Sequence, residues 1–381
     1  MNYQQKSIEL HKKFNGKLTI NSNVKIETVE DLSLAYSPGV AGPCLEIAKD
    51  ESTYKKLTSM SKTIAVISDG SAVLGLGNIG AKASMPVMEG KSALFKEFSG
   101  LNSVPIVLST QNTQEIIEAV ERIAPSFGGI NLEDISAPRC FEIEEELKKR
   151  LSIPVFHDDQ HGTAIVTLAG IINYSRLSGK NIDNLKIVIN GAGAAGVAVS
   201  KLLYLYGVRD IIVCDSKGII SKQRENLNTT KQQILEFTNK ENMVGTVFDA
   251  LNGSDVFIGL SVGNLLQKEH ISVMNEKPAI FAMANPTPEM MPDLAKSSGV
   301  FVIGTGRSDY PNQLNNVLVF PGIFKGAIES NSRDITDEMK LRAAQGVAYL
   351  ISDEELSQDY IIPNPFDKRV VDAVADSVRN I

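Results

Sequence analysis

The stretch KIVINGAGAAGVAVSKLLYLYGVRDIIVCD, residues 186–215, constrains the chain more than any other. A short apolar run leads directly into Gly191, Gly193 and Gly196. A mostly apolar helical stretch follows, and a second apolar run ends on Asp215. Strand, glycine turn, helix and strand, with an acid about 20 residues beyond the glycines, make a unit that binds a dinucleotide. The helix N-terminus offers the pyrophosphate free N–H groups and the positive end of its dipole. The spacing predicts Gly191, Ala192, Gly193, Ala194, Ala195 and Gly196 as the cofactor turn, and Asp215 as the residue facing the ribose hydroxyls.

The rhythm continues in DVFIGLS (255–261), AIFAMAN (279–285) and VFVIGTG (300–306). Short buried strands separated by helical or loop stretches predict an α/β fold, with a Rossmann-like, doubly wound parallel sheet in the C-terminal part. Upstream, KTIAVISD (62–69), VPIVLS (104–109), GGINLED (128–134) and IPVFHDD (153–159) read as four more strands. Helical spacing marks residues 91–100, 113–125, 140–151 and 162–179, a short surface helix at the N-terminus, and two amphipathic helices at roughly 336–351 and 368–380. With 381 residues the chain exceeds one typical domain of about 100–200 residues. The boundary is expected near 160, giving domains 1–160 and 161–381.

A second glycine string, GLGNIG (75–80), fails the tests that GAGAAG passes. SAVL separates it from the preceding strand, Pro86 starts or breaks any helix within two turns, and the next strand ends on Ser109 rather than on an acid. It reads as a flexible loop that lets backbone approach a ligand, so one cofactor per chain is expected.

Four acids stand at two strand ends, Glu133 and Asp134 in NLED and Asp158 and Asp159 in HDDQHG. Hard oxygen ligands suit Mg²⁺ or Mn²⁺, and the same acids at these positions also serve as helix N-caps or solvated turn residues. His157 and His161 have no further His or Cys near them in sequence, so they read as structural residues orienting carboxylates rather than as zinc ligands. In MEGKSALFK, Lys96 reads as a surface charge, whereas Lys91 sits in an apolar neighbourhood at the start of the helical stretch. A desolvated lysine beside a cation loses basicity and can serve as a general base; a solvated lysine at a helix start is the plainer reading. Tyr36, before a Ser-Pro turn, is either a packed aromatic or a general acid.

A net charge of −7 argues against nucleic acid as a partner. No run approaches 18 apolar residues, so a membrane span is not expected. Cys44, Cys140 and Cys214 lack metal-ligand spacing and read as reduced thiols of a cytoplasmic protein.

Taken in order, AYSPGVAGPC, SDGSAVLGLGNIG, PVMEGKSALFK, FGGINLEDISAP, PVFHDDQHGTA, NGAGAAG, ANPTPE and GRSDYPNQLNNVLVFPG resemble the small bacterial malic enzymes, over about residues 30 to 370. The resemblance implies the short form of that family. It implies oxidative decarboxylation of L-malate to pyruvate and CO₂ with NAD or NADP and Mg²⁺ or Mn²⁺, in a homodimer. It further implies Tyr36 as general acid, Lys91 as general base, Glu133, Asp134 and Asp159 as metal ligands with Asp158 beside them, and Asn285 and Asn316 at the substrate. Asn285 also faces the cofactor. The large malic enzymes carry a carboxylate-gripping arginine just before the first glycine string, where Ala72 and Val73 stand here. Arg307 is the candidate replacement, with a structural salt bridge as its other reading. Asp215 favours NAD by repelling a 2′-phosphate, and Lys217 can offset that repulsion and admit NADP. A malolactic enzyme, converting malate to lactate, and a nucleotide sensor on a retired enzyme scaffold are the competing readings.

Overall fold

The computed structural model describes residues 3–379, the side chain of Leu74 apart. Its frame is two sheets, one parallel and one parallel except for a short edge strand. The first contains β1 (Thr63–Ser68), β2 (Asn102–Val107), β3 (Gly129–Leu132) and β4 (Val155–His157) in the order β2-β1-β3-β4. The second contains β5 (Lys186–Asn190), β6 (Asp210–Asp215), β7 (Gly218–Ile219), β8 (Val256–Gly259), β9 (Ala279–Ala282) and β10 (Val302–Thr305) in the order β10-β9-β8-β5-β6-β7. β7, a two-residue antiparallel strand, was too short to announce itself in the sequence. The other strands of the second sheet are buried almost throughout, which is why they read as unbroken apolar runs.

Register places the chemistry. Leu132 pairs with His157, so the next residues of the two strands, Glu133 and Asp158, emerge side by side. In the second sheet Asn190 pairs with Gly259 and Gly259 with Ala282, so Gly191, Leu260 and Met283 leave one sheet edge together.

The 21-residue helix Asp158–Ser178 follows β4 at once and carries the chain from the first sheet to the second. It begins at Asp158, four residues earlier than the periodicity predicts, so Asp158 and Asp159 occupy its first turn rather than a strand end. Its apolar residues join Ile64 and Val66 of β1 to Ile187 and Ile189 of β5 in one continuous core. The helix Phe320–Glu329 also packs under the first sheet. Phe95 lies 4.7 Å from Phe320 and 5.4 Å from Phe324, ring centre to ring centre, and Phe156 lies 5.9 Å from Phe324. The tail helices are Asp337–Ala348 and Arg369–Arg379; position 380 of the predicted second helix lies outside the described residues.

Two expectations around the first glycine string are corrected. A helix, Ala81–Leu94, starts directly after Gly80 and runs through Pro86 without breaking. Packing against β1 and β2 compensates for the backbone hydrogen bond that proline removes. Lys91 therefore lies in the last turn of a helix, not at the start of one. The string itself is a closed loop: the Val73 N–H donates to the Gly77 carbonyl, and the Ile79 and Gly80 N–H groups both donate to Gly70.

Before β1 the character of the chain changes. The helices Tyr3–Phe14, Val29–Ala35 and Ala41–Lys49 contain no buried residue. Ile20, Val29, Leu34 and Leu45 are 99%, 81%, 71% and 71% exposed. No helix among the described residues is long and apolar enough to cross a membrane.

Candidate active site

A cleft of about 610 Å³ opens where the two sheets face each other. Glu133, Asp134, Asp159 and Lys91 line one wall; Gly193, Ala194, Ala195, Gly196 and Asn285 line the other, with Asn316 between. Most of the residues predicted from sequence are thus brought together.

Lys91 is 7% exposed. Its Nζ lies 2.5 Å from Asp158 Oδ2, 3.0 Å from Glu133 Oε1 and 4.3 Å above the centre of the Phe320 ring. Burial disfavours its charge, but Asp158 and Glu133 outweigh burial and hold the ammonium above its ordinary range. The lowered basicity expected from sequence is therefore absent while those carboxylates face it uncompensated. Burial pushes Asp158 up to about 7 against the pull of Lys91, and burial raises Glu133 in the same way. Lys96, five residues on, is exposed and bonds Asn102.

Glu133, Asp134 and Asp159 each place a carboxylate oxygen within 4.8 Å of the others. Asn131 donates to Glu133 at 2.8 Å, and the Asp134 N–H donates to Asp159 at 2.7 Å. Asp134 holds a left-handed backbone, φ +54°. The donor set is all hard oxygen. Four carboxylates, counting Asp158, face one ammonium, an excess that a divalent cation would largely offset. The residues fit Mg²⁺ or Mn²⁺. Asp158 is held in place by Gly162, where any Cβ would collide with Asp158 Oδ1.

Neither histidine belongs to the carboxylate corner, although His157 Nδ1 lies 3.8 Å from Asp159 Oδ2. His161 Nε2 lies 2.8 and 2.9 Å from the two oxygens of Glu144. Glu144 also accepts from the His157 N–H and from Gln160, so this one buried carboxylate ties down the turn that carries Asp158 and Asp159. Sequence reasoning missed Glu144, which sits in a charged surface-helix pattern, EIEEELKK. It also missed Arg139, whose guanidinium bonds Asp69, Ser71 and Ser136 and so braces the first glycine loop.

The first glycine string reaches across the cleft to the loop after β9. Gly75 lies so close to the Asn285 carbonyl that a Cβ there would overlap it. In GAGAAG, Gly191 has φ +129° and Gly196 packs against the Gly191 carbonyl with no room for a Cβ. Ala194 begins the helix that ends at Tyr206. Buried Glu289 accepts from the Ser261 and Ala284 N–H groups and fixes the loop before Asn285.

Not every predicted residue lines the cleft. Arg307 is not on the cleft; Asp309 occupies its guanidinium at 2.9 and 2.6 Å, so the salt-bridge reading holds. Tyr36 is 69% exposed, and the cleft lining includes nothing before Ala72. Asp215 closes β6 as predicted, but Arg224 and Lys231, unnoticed in the sequence, hold both its oxygens.

Fold and cleft together define a dinucleotide-dependent α/β enzyme. Comparison with known proteins narrows the class. Residues 160–378 match the family model described as "Malic enzyme, NAD binding domain", and residues 15–118 and 110–148 match "Malic enzyme, N-terminal domain". The chain belongs to the malic enzyme family. It is 54% identical over 379 residues to the bifunctional malic/malolactic enzyme of Bacillus subtilis, covering 99% of this chain and 92% of that one. It is 52% identical to the NAD-dependent malic enzyme of Geobacillus stearothermophilus, over 95% of this chain and 76% of that one. The crystal structure of the NAD-dependent malic enzyme of Thermotoga maritima superposes with a TM-score of 0.94 at 46% identity, covering 98% of each chain.

Proposed function

We propose that the chain oxidises and decarboxylates L-malate to pyruvate and CO₂, reducing NAD or NADP, with Mg²⁺ or Mn²⁺ held by Glu133, Asp134 and Asp159. The observation that carries this reading is the convergence of a buried lysine, a three-carboxylate corner and a dinucleotide turn on one cleft. A cation in that corner supplies Lewis acidity toward a substrate oxygen.

The remaining work falls to the side chains. Lys91 accepts the proton of the malate hydroxyl as hydride departs for the nicotinamide. An ammonium cannot accept a proton, so Lys91 must lose one first; a cation held by Glu133, Asp134 and Asp159 would offset the carboxylates that keep it charged, and Asp158, 2.5 Å away, is its neighbouring proton acceptor. Asn285 and Asn316 offer amide donors to the substrate carboxylates, and the GAGAAG turn carries the pyrophosphate. Tyr36 protonates the carbon left by CO₂. Since it stands outside the cleft of its own chain, we assign that step to Tyr36 of a second copy, and the working molecule to a homodimer. The exposed apolar segment before β1 supports the assignment. The separate sheets support a domain division near residue 160, and three free thiols support a cytoplasmic location.

The test is the purified protein with L-malate, Mn²⁺ and either dinucleotide, followed at the reduced-cofactor absorbance with the product identified. Pyruvate equal to reduced cofactor is the expected result; no turnover overturns it. The Bacillus subtilis relative's name, bifunctional malic/malolactic enzyme, favours lactate as a second product. That product would form without net cofactor reduction.

A further inference from the structure

A second cavity, of about 440 Å³, shares two helices with the cleft. In the helix Asp158–Ser178, Asp159 and Thr163 line the cleft, whereas Gln160, His161 and Ala164 line the second cavity. In the helix Ala194–Tyr206, Ala194, Ala195 and Gly196 line the cleft, whereas Val197, Ala198 and Lys201 line the second cavity. The opening turns of both helices therefore stand between two spaces. Phe141 and Lys148 of the helix Arg139–Arg150 and Lys340 of the helix Asp337–Ala348 complete the wall.

The lining has two chemical characters. Leu202, Leu205 and Ile335 make part of it apolar, and Lys148, Lys201 and Lys340 bring three ammonium groups to the same space. Lys340 is 4% exposed. A buried ammonium is costly unless it is firmly paired. Its partner Asp337, at 3.0 Å, is 40% exposed and also serves Lys201 at 3.0 Å. Lys148 leans in the same way on Asp334, at 2.9 Å and 47% exposed. Glu145 is held by Lys149 at 2.8 Å, and Glu144 is shared by His161, Gln160 and the His157 N–H. Burial lowers Lys340 below the ordinary lysine range, and the pull of Glu144 and Asp337 does not make up the difference. Asp334 and Asp337 reach water, so both can turn outward when another anion takes their place.

We propose that this cavity binds a small organic anion, its charged head on Lys340 and Lys201 and its apolar body against Leu202, Leu205 and Ile335, and that its occupancy is coupled to the dinucleotide turn through the helix Ala194–Tyr206. A cavity of this size, mostly apolar with a few placed charges, suits a small ligand. Inorganic phosphate has a head without a body, and an alcohol has a body without a head, so neither matches both parts of the lining. The coupling is reciprocal: whatever factor the anion imposes on dinucleotide affinity, the dinucleotide imposes on the anion.

The test needs neither malate nor metal. Hexanoate is the probe, with hexanol and inorganic phosphate as controls, each titrated into the whole chain and followed by ligand-detected NMR. Hexanoate should bind at least tenfold more tightly than either control. Lys340→Met should weaken it tenfold or more. Lys201→Ala, at a side chain more than half exposed and so without consequence for folding, should weaken it at least threefold. Saturating NADH should change the hexanoate Kd by a fixed factor of three or more, and saturating hexanoate should change the NADH Kd by the same factor. Failure of hexanoate to bind, equal binding of the three probes, or hexanoate binding that both variants leave unchanged overturns the site. A hexanoate Kd that climbs without limit as NADH is added puts the probe in the cleft and overturns it as well. Two ligands that ignore each other overturn the coupling. If NADH does not bind, the coupling falls with the assignment of GAGAAG as the cofactor turn, and the lysine variants still decide the site.

Discussion

Lys91 and Lys96 share one stretch of sequence and have opposite surroundings. Lys91 touches two buried carboxylates and an aromatic face; Lys96 reaches only Asn102 and a carbonyl at the surface. Lys91→Ala should therefore cut malate oxidation by about 10²–10⁴-fold, the usual contribution of a positioned proton acceptor. Lys96→Ala should leave kcat within about twofold, since surface changes of this kind are nearly neutral. Equal losses would remove Lys91 from its role. Asp158 allows a second measurement in metal-free protein. Its folded pKa of about 7 lies above the unfolded value of 3.8. The stability it contributes is thus fully present below pH 3.8 and is lost as pH rises through 7. Asp158→Asn stays neutral throughout. The variant should gain on the wild type by up to about 1.4 kcal/mol per pH unit between pH 4 and 7. Thermal melts in chelator across that range would read the difference, and a pH-independent gap would contradict a carboxyl titrating near neutrality.

The glycines of the cofactor turn divide into two kinds. At Gly196 a Cβ would strike the Gly191 carbonyl, whereas at Gly193 a Cβ meets nothing within 4 Å. Gly196→Ala should force helix and strand apart and lower stability by several kcal/mol, on the order of a severe overpacking. Gly193→Ala should melt like the wild type but bind reduced cofactor more weakly, because the pyrophosphate needs close backbone approach there. Fluorescence titration beside thermal unfolding separates the two effects. This strand–turn–helix unit was fully legible in the sequence because its evidence is local: period, glycine spacing and an acid at fixed distance. The start of the helix at Asp158 was not legible, since His157 makes no side-chain cap and the apolar pattern begins only later. Glu144, Arg139, Arg224 and Lys231 were hidden for a different reason. Each acts on a group displaced in sequence, and only tertiary contact gives its charge a purpose. Arg307 is the opposite case, since its partner Asp309 stands two residues away.

At the scale of the whole molecule, the buried core and the segment before β1 obey different rules. From β1 onward apolar side chains are largely enclosed. Before it Ile20, Val29, Leu34, Tyr36 and Leu45 are all more than two-thirds exposed. Scattered exposed apolar residues need no explanation, but a contiguous series of them marks an interaction surface. The cleft has the matching deficit, for it contains Lys91 and the acids but no group from this segment. A second copy resolves both: an isologous pair would bury the segment twice and exchange Tyr36 between the two clefts. The consequence is measurable with two inactive proteins. Tyr36→Phe and Lys91→Ala, each alone, should be almost inactive. In a mixed dimer, the cleft of the Tyr36→Phe chain keeps its own Lys91 and receives an intact Tyr36 from the Lys91→Ala chain. Its other cleft lacks both groups. Exchange of subunits at equal concentrations should therefore restore about a quarter of wild-type activity, half of the molecules being mixed with one working site in two. Sedimentation confirms that exchange has occurred between dimers carrying different tags. Activity that stays near zero in a verified mixed population would mean that Tyr36 serves no partner's cleft. In that case the segment would have to fold onto the cleft of its own chain during the reaction.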